Sequence, residues 1–399
     1  MKNEELFIQA APILKELEEA GYDAYYVGGA VRDYLLGRPI GDVDIATSAL
    51  PEEVKALFPK TVDVGIEHGT VLIIYRGEGY EVTTFRTESD YKDFRRPETV
   101  AFVRSLQEDL KRRDFTINAM AMDRSLSLVD PFQGQKDLRD KRIQTVGSAW
   151  ERFTEDALRM MRAARFVSQL NFELDEATAD ALIQQSHLLK HIAVERKLNE
   201  MEKLLGGPGK KKGLRTLLQG GLYPFLPGIG EEKQILERIL DLPIDSLTAD
   251  QMWLLLTWIA SPERPDLFLK EWRMPAKKVK SLSRAVQLLR ERQSESWTRY
   301  KLYQAGLATA VDVEEVHAAL HENPRLSEKA WLEEEYHKLP IYDRQALAVS
   351  GEDLKAWKDT PGGPWIKGYL EKIEQAVING ESDNDREKIK EWLKSCNLL

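Results

Sequence analysis

Val27-Gly28-Gly29-Ala30-Val31-Arg32-Asp33, followed after a short spacer by Gly41-Asp42-Val43-Asp44-Ile45, decides the reading of this 399-residue chain. Gly28-Gly29 closes a β-branched and aromatic run at 24–27 and opens a helical pattern at 31–36. Backbone N–H groups are presented there with no Cβ in the way, which suits an oxyanion, and a triphosphate would fit. Arg32 points toward the same place. Asp42 and Asp44 lie two apart on a predicted strand, so both carboxylates face one side. Two such charges repel unless a cation sits between them. Paired carboxylates with substrate phosphates are the ligands Mg²⁺ prefers. A lone D-x-D is commonly a solvated strand end and a lone Gly-Gly a turn, but the joint pattern is far more specific.

Working outward, further strand signals fall at 43–47, 71–75, 81–85 and 99–103, with a helix over 51–57 that starts on Pro51. This predicts an α+β head with a small sheet of about five strands and helices. Residues 86–97 (RTESDYKDFRRP) carry too many charges and too little apolar periodicity for a strand, and read as a mobile loop. From about Trp150 the strand signal almost disappears. Helical periodicity runs through 155–170, 176–189, 195–205, 233–240, 249–260 and 276–293, broken by clusters such as Gly206-Gly207-Pro208-Gly209. The head is thus expected to be followed by an elongated all-α stem. The boundaries expected are a head at 1–145, a neck at 146–215, a body at 216–300 and a tail at 301–399.

The chain holds 57 Lys and Arg against 66 Asp and Glu, a net charge of −9, with 42% hydrophobic residues. Residues 201–300 alone run positive, with 17 basic against 12 acidic residues, including Lys210-Lys211-Lys212 and the Lys277, Lys278, Lys280 cluster. The longest apolar run, 252–260, is far too short to span a bilayer. The N-terminus has no apolar signal-peptide core. The single cysteine, Cys396, excludes an internal disulfide and a Cys-based zinc site, and no H-E-x-x-H supports another. No G-x-x-x-x-G-K-[ST] or strand-linked G-x-G-x-x-G competes for a nucleotide. A soluble, cytoplasmic protein is expected, with no membrane and no zinc.

The head segments YYVGGAVRD and GDVDIATSA resemble those of the bacterial class II CCA-adding enzymes, tRNA nucleotidyltransferases of the polymerase-β-like superfamily. So do Lys111-Arg112-Arg113-Asp114-Phe115-Thr116-Ile117-Asn118, Glu155-Asp156-Ala157-Leu158-Arg159, and Val194-Glu195-Arg196 with Glu200 and Lys203. The resemblance covers essentially the whole chain. It implies template-independent addition of C, C and A to the 3′ end of tRNA from CTP and ATP, with release of pyrophosphate and two Mg²⁺ ions. By position, Asp42 and Asp44 would be the catalytic metal ligands, with Glu81 as a third carboxylate. Gly28, Gly29, Arg32, Arg113, Asp114 and Asn118 would hold triphosphate and sugar. Asp156, Arg159, Arg162 and Arg165 would serve base recognition.

Asp156 and Arg159 sit i and i+3 on a predicted helix, which projects them side by side. Cytosine and adenine both offer an amino donor beside a ring-nitrogen acceptor, whereas uracil and guanine offer the reverse. A carboxylate beside a guanidinium therefore fits C and A. The rival readings are a poly(A) polymerase, a partial enzyme adding only CC or only A, and a tRNA-binding protein with an inactive head. The acidic C-terminus counts against a poly(A) polymerase, the 86–97 loop against an enzyme adding only CC, and the intact Asp42, Asp44 and Arg113-Asp114 against an inactive head. A homodimer is left open.

Overall fold

The computed structural model describes residues 2–65, 68–92, 96–322 and 327–399. The chain divides into two compact units, Met1–Leu240 and Asp241–Leu399.

The first unit begins with α1 (Lys2–Glu19), which buries Phe7, Ala10, Ile13, Leu14 and Leu17 along one face. Then follow β1 (Ala24–Val27), α2 (Gly29–Leu35), β2 (Asp44–Thr47), α3 (Pro51–Leu57), β3 (Thr61–Gly65), β4 (Thr70–Tyr75) and β5 (Glu78–Thr84). After these come β6 (Arg86–Lys92), β7 (Arg96–Phe102), α4 (Leu106–Lys111), a 3₁₀ turn (Thr116–Asn118), β8 (Ala121–Met122) and β9 (Leu128–Val129). A seven-stranded sheet has the order β3-β4-β5-β2-β1-β8-β9. The α+β expectation holds, with two differences. The sheet gains β3, whose valines are exposed at the edge, and the two-residue strands β8 and β9, all too short or too polar on one face to show a period.

The second difference is the 86–97 segment. It is not a loop. β6 and β7 form an antiparallel ribbon running from the Arg86–Phe102 pair to the Lys92–Arg96 pair. Its charges hid it, and at its base two of them are paired: Glu88 takes Arg86 at 2.9 Å and Arg112 at 3.0 Å. The 99–103 strand signal belongs to this ribbon and not to the main sheet. Residues 93–95, within the segment read as a loop, lie outside the described residues.

The register of the sheet positions the site. β1 and β2 are antiparallel with Val27 opposite Asp44, so the Gly28–Gly29 turn leaves β1 directly beside the first residue of β2. β2 and β5 are parallel with Ile45 opposite Val82, which brings Glu81 alongside Asp44.

The rest of the unit is helical apart from one two-stranded pair. α5 (Gly134–Arg139), β10 (Arg142–Ile143), α6 (Ala149–Glu155), α7 (Leu158–Leu170), β11 (Glu173–Leu174), α8 (Glu176–Gln185), α9 (Val194–Leu205), α10 (Lys210–Gln219) and α11 (Gln234–Asp241) succeed one another. α7 is buried nearly all round, through Met160, Met161, Ala163, Ala164 and Val167. α9 is locked beside it by the Ser168 hydroxyl, which donates to the Leu204 carbonyl at 2.6 Å. A Cβ at Gly207 would stand 2.2 Å from Ser168 Oγ, so the close approach there requires glycine.

The second unit is all-α, from α12 (Ala249–Ala260), α13 (Pro265–Glu271), α14 (Ala276–Arg292), α15 (Arg299–Ala305) and α16 (Leu307–Leu320) to α17 (Lys329–His337), α18 (Gly351–Lys358), α19 (Trp365–Asn379) and α20 (Arg386–Ser395). Its core sets Trp253 edge-on to Trp272 at 5.1 Å and gathers Ile341, Leu354, Ile373, Ile389 and Leu393. Among the described residues no helix is long and apolar enough to cross a membrane.

Candidate active site

A cavity of about 830 Å³ opens in the first unit, between the ends of β1 and β2 and the helices α7 and α9. It is lined by Gly28, Gly29, Arg32, Asp42, Asp44, Arg113, Asp114, Asn118, Asp156, Arg159, Arg162 and Arg165. Every site residue expected from the sequence, except Glu81, therefore faces one space. Glu81 lines a second hollow that shares Asp42 and Asp44 with the first.

Gly28 holds φ +71°, and a Cβ there would lie 3.3 Å from Arg113 Nη1 and 3.8 Å from Asp44 Oδ2. The positive φ is what favours glycine here, since those contacts are ones the Arg113 side chain could yield to. Asp44 opens β2, whereas Asp42 precedes the strand, so their common side arises at a strand entrance. Among the described residues none of Asp42, Asp44 and Glu81 accepts a hydrogen bond or forms an ion pair, and no three metal-ligating side chains converge by themselves. Surrounding protein raises the Asp44 carboxyl above its ordinary pKa; Glu81 and then Asp42 add to this, against Arg113.

The arginines contrast with these carboxylates. Arg32 grips Asp33 with Nε and Nη2, at 3.0 and 2.8 Å, and donates from Nη1 to Asn118 Oδ1 at 2.8 Å. Arg113 leans on the buried Asp109, which also takes Arg112. Burial would raise the Asp109 pKa, but Arg112 and Arg113 lower it below the ordinary value. Asp114 is buried under Arg162, whose Nε and Nη2 reach its Oδ2 at 2.6 and 2.5 Å. Its burial is likewise outweighed by Arg162 and Arg159, which hold its pKa at about 2. Arg165 stacks 4.1 Å over the Phe166 ring with Nε 3.1 Å from Glu200; burial, then Arg162, lowers its pKa to about 10.

Asp156 and Arg159 depart from the expected picture. Residues 155–170 are not one helix: α6 stops at Glu155, Asp156 is extended at φ −136°, and α7 starts at Leu158. The break lets Asp156 Oδ1 accept from the Leu158 N–H at 3.1 Å, the local capping for which aspartate competes with the helix. The two side chains make no ion pair with each other. Asp156 is forked by Arg196 at 2.9 and 3.3 Å. Arg159 is held by Glu155 at 2.6 Å and by the carbonyls of Arg152 and Arg112, at 3.1 and 3.2 Å.

Sequence reasoning missed these holders. Arg196 lies 40 residues from Asp156, and no local pattern joins them; only the pairing of α7 with α9 does. The basic clusters also differ in character. Lys210 is buried and Lys212 pairs with Glu173 at 2.7 Å, while Lys277 and Lys280 are exposed.

The same residues are matched by known families. Residues 24–144 match the Poly A polymerase head domain, 171–232 a probable RNA and SrmB-binding site of polymerase A, and 246–393 a putative tRNA nucleotidyltransferase domain 2. The CCA-adding enzyme of Geobacillus stearothermophilus is 49% identical over 394 residues, 98% of this chain and 97% of its own. That of Bacillus cereus (strain G9842) is 46% identical over 396 residues, 99% of this chain and 100% of its own. The chain belongs to the CCA-adding enzyme family. The crystal structure of the Bacillus stearothermophilus member in complex with CTP superposes with a TM-score of 0.88 at 47% identity, covering 98% of this chain and 97% of that one. A tRNA nucleotidyltransferase solved with a primer tRNA and an incoming ATP analog gives 0.61 at 26% identity, covering 82% of this chain and 98% of its own. Membership makes the chain a nucleotidyltransferase, and divalent-metal dependence is general in such enzymes.

Proposed function

We propose that the chain completes the 3′ end of tRNA, adding C, C and A without a template from CTP and ATP and releasing pyrophosphate. The observation that carries this reading is a single cavity with unpartnered carboxylates at one end and a fixed acceptor–donor pair at the other. Two Mg²⁺ ions fit the first end: Asp42 and Asp44 are oxygen ligands without protein donors, and triphosphate oxygens and water would fill the remaining positions. Bound there, such ions supply acidification of the tRNA 3′-hydroxyl and charge relief on the triphosphate. Glu81 adds negative charge beside Asp44 and is the third carboxylate of this reading.

Gly28 and Gly29 let backbone N–H groups approach the phosphates, and Arg32, Arg113 and Asn118 hold triphosphate and sugar. The 3′-hydroxyl attacks the α-phosphorus in line, and pyrophosphate departs toward Arg32. At the base end, Asp156 accepts the exocyclic amino proton of C or A while Arg159 donates to the ring nitrogen. Because Arg196 and Glu155 fix both groups before the base arrives, little ordering remains to be done on binding. Uracil and guanine would set carbonyl against carboxylate and N–H against guanidinium. Arg162 and Arg165, farther along α7, extend this wall.

In this reading residues 1–145 are the catalytic head and 146–215 the base-reading neck, while 216–300 and 301–399 bind tRNA in the cytoplasm. The test incubates the protein with tRNA lacking CCA and with each nucleotide singly and together, then sequences the 3′ ends. CTP alone should give two cytidines, and ATP should extend only ends already carrying them. Addition that stops at CC, or repeated adenosines, would overturn the full-addition reading.

A further inference from the structure

Among the cations lining the cavity, the six arginines are all engaged by carboxylates: Arg32 by Asp33, Arg112 and Arg113 by Asp109, Arg159 by Glu155, Arg162 by Asp114 and Arg165 by Glu200. Lys203 also lines the cavity, and among the described residues it has no hydrogen bond and no ion pair. It is exposed on α9, one turn beyond Glu200. α7 and α9 run in step: Arg196 meets Asp156, Glu200 meets Arg165, and Ser168 bonds to Leu204. Lys203 therefore stands level with Phe166 and Gln169, at the end of the cavity opposite Asp156, with the Arg32 guanidinium 5.3 Å from the Phe166 ring centre. From Arg159 to Gln169 the helix rises about 15 Å, comparable with an extended nucleoside triphosphate.

We propose that Lys203 receives the terminal phosphate of the incoming nucleotide, and the distal phosphoryl group of pyrophosphate as it leaves. This rests on the nucleotidyl-transfer reading above and adds to it a residue that discriminates triphosphate from diphosphate. The electrostatics favour it. The arginine charges are already met within the protein, so the attraction left over for a highly charged tail is concentrated on the unmet ammonium. Lys203 exchanges only water for phosphate, whereas each arginine would have to share a carboxylate. Its flexible stem also lets it follow pyrophosphate outward.

The test measures equilibrium binding of CTP and of CDP with Mg²⁺ and no tRNA, for the wild type, Lys203→Ala and Lys203→Arg, with the inhibition constant of pyrophosphate alongside. In Lys203→Ala, affinity for CTP and for pyrophosphate should each fall about tenfold, as for one charge-assisted contact at an accessible site. CDP should bind as to the wild type, and Lys203→Arg should recover most of the loss. Equal weakening of CTP and CDP, or no change in either, would overturn the assignment. So would an effect confined to KM for tRNA, which would place Lys203 against the tRNA backbone. If the wild type itself fails to bind CTP, the nucleotidyl-transfer reading falls with it. If the wild type binds CTP and completes CCA while Lys203→Ala holds CTP equally well, only the Lys203 assignment falls.

Discussion

Replacing Asp114 by Asn probes the wall that joins the head to the neck. The carboxylate accepts from Arg162 twice through Oδ2, and from the Phe115 N–H and Asn118 through Oδ1, at 2.9 and 3.3 Å. Asn keeps the shape and one acceptor but deletes the charge, leaving Arg162 only Glu200 at 3.9 Å. Removing one partner of a buried pair costs about 3–5 kcal/mol. The Arg162 side chain is 31% exposed, so water relieves part of this, and about 2–3 kcal/mol is the expected loss. For a unit of this size that is a fall in Tm of roughly 4–12 °C. The pH dependence follows from the carboxyl's depressed pKa, about 2 against an ordinary 3.8. A depressed acid contributes stability that is complete above about pH 4 and is lost as pH falls toward 2. By pH 3 about 1 kcal/mol of it should be gone. Urea unfolding of both proteins from pH 6 to pH 3 should therefore show the variant's deficit shrinking by about that amount. A deficit below about 1 kcal/mol at pH 7, or one constant with pH, would refute the claim that this charge holds the wall.

Asp44→Asn should lower the single-turnover rate of nucleotide addition on the order of a thousandfold, with tRNA affinity within about twofold in a filter-binding assay; near-normal addition would remove the metal assignment. Deleting about six residues between Glu88 and Arg95 should leave both cytidines added and cripple the terminal A, read by 3′-end sequencing, because the deletion disrupts the ribbon pairing that presents Glu88 to Arg112, and the Arg112 carbonyl supports Arg159. The exchange Asp156→Arg with Arg159→Asp should abolish addition and not redirect it to UTP or GTP, since it sets one guanidinium against that of Arg196 and one carboxylate against that of Glu155; clean UTP incorporation would show that these holders are irrelevant.

The legible part of the site was the part encoded locally. Gly28-Gly29 and Asp42-x-Asp44 announce a strand end, exposed backbone N–H groups and paired charge within a few residues, and the sheet register sets them side by side. The helices of the neck showed through their apolar period, because α7 must bury most of its surface. What the sequence concealed depends on distant partners. The β6–β7 ribbon looks like a loop because its sequence is highly charged, whereas its backbone pairs across the strands and its Glu88 is tied to Arg112. The break at Asp156 is invisible to periodicity, since both flanking segments are good helix and one residue's capping decides it. Arg196 and Lys203 belonged to a recognisable motif, but whether each faces Asp156, the phosphates or solvent is fixed only when α9 packs on α7.

If Asp156 and Arg159 read the base as proposed, their separation bears on how one pocket serves two bases. Had they been an i,i+3 pair on one helix, each would have neutralised the other, and an incoming base would have had to break that pair. Instead the chain stops a helix between them and supplies each with its own counterion, Arg196 for one and Glu155 for the other. Each group also meets the backbone: Asp156 accepts from the Leu158 N–H, and Arg159 donates to the carbonyls of Arg152 and Arg112. A reader built this way specifies donor order and not base size. In this reading size is set by what supports the pair from outside α6 and α7, and Arg159 meets such support at the Arg112 carbonyl, on the residue whose side chain is tied to Glu88 of the ribbon. In the proposed reading the acceptor–donor order is thus carried by the helices, and the ribbon, which reaches Arg159 only through Arg112, can change the room for the base, and so admit C or A, without changing that order.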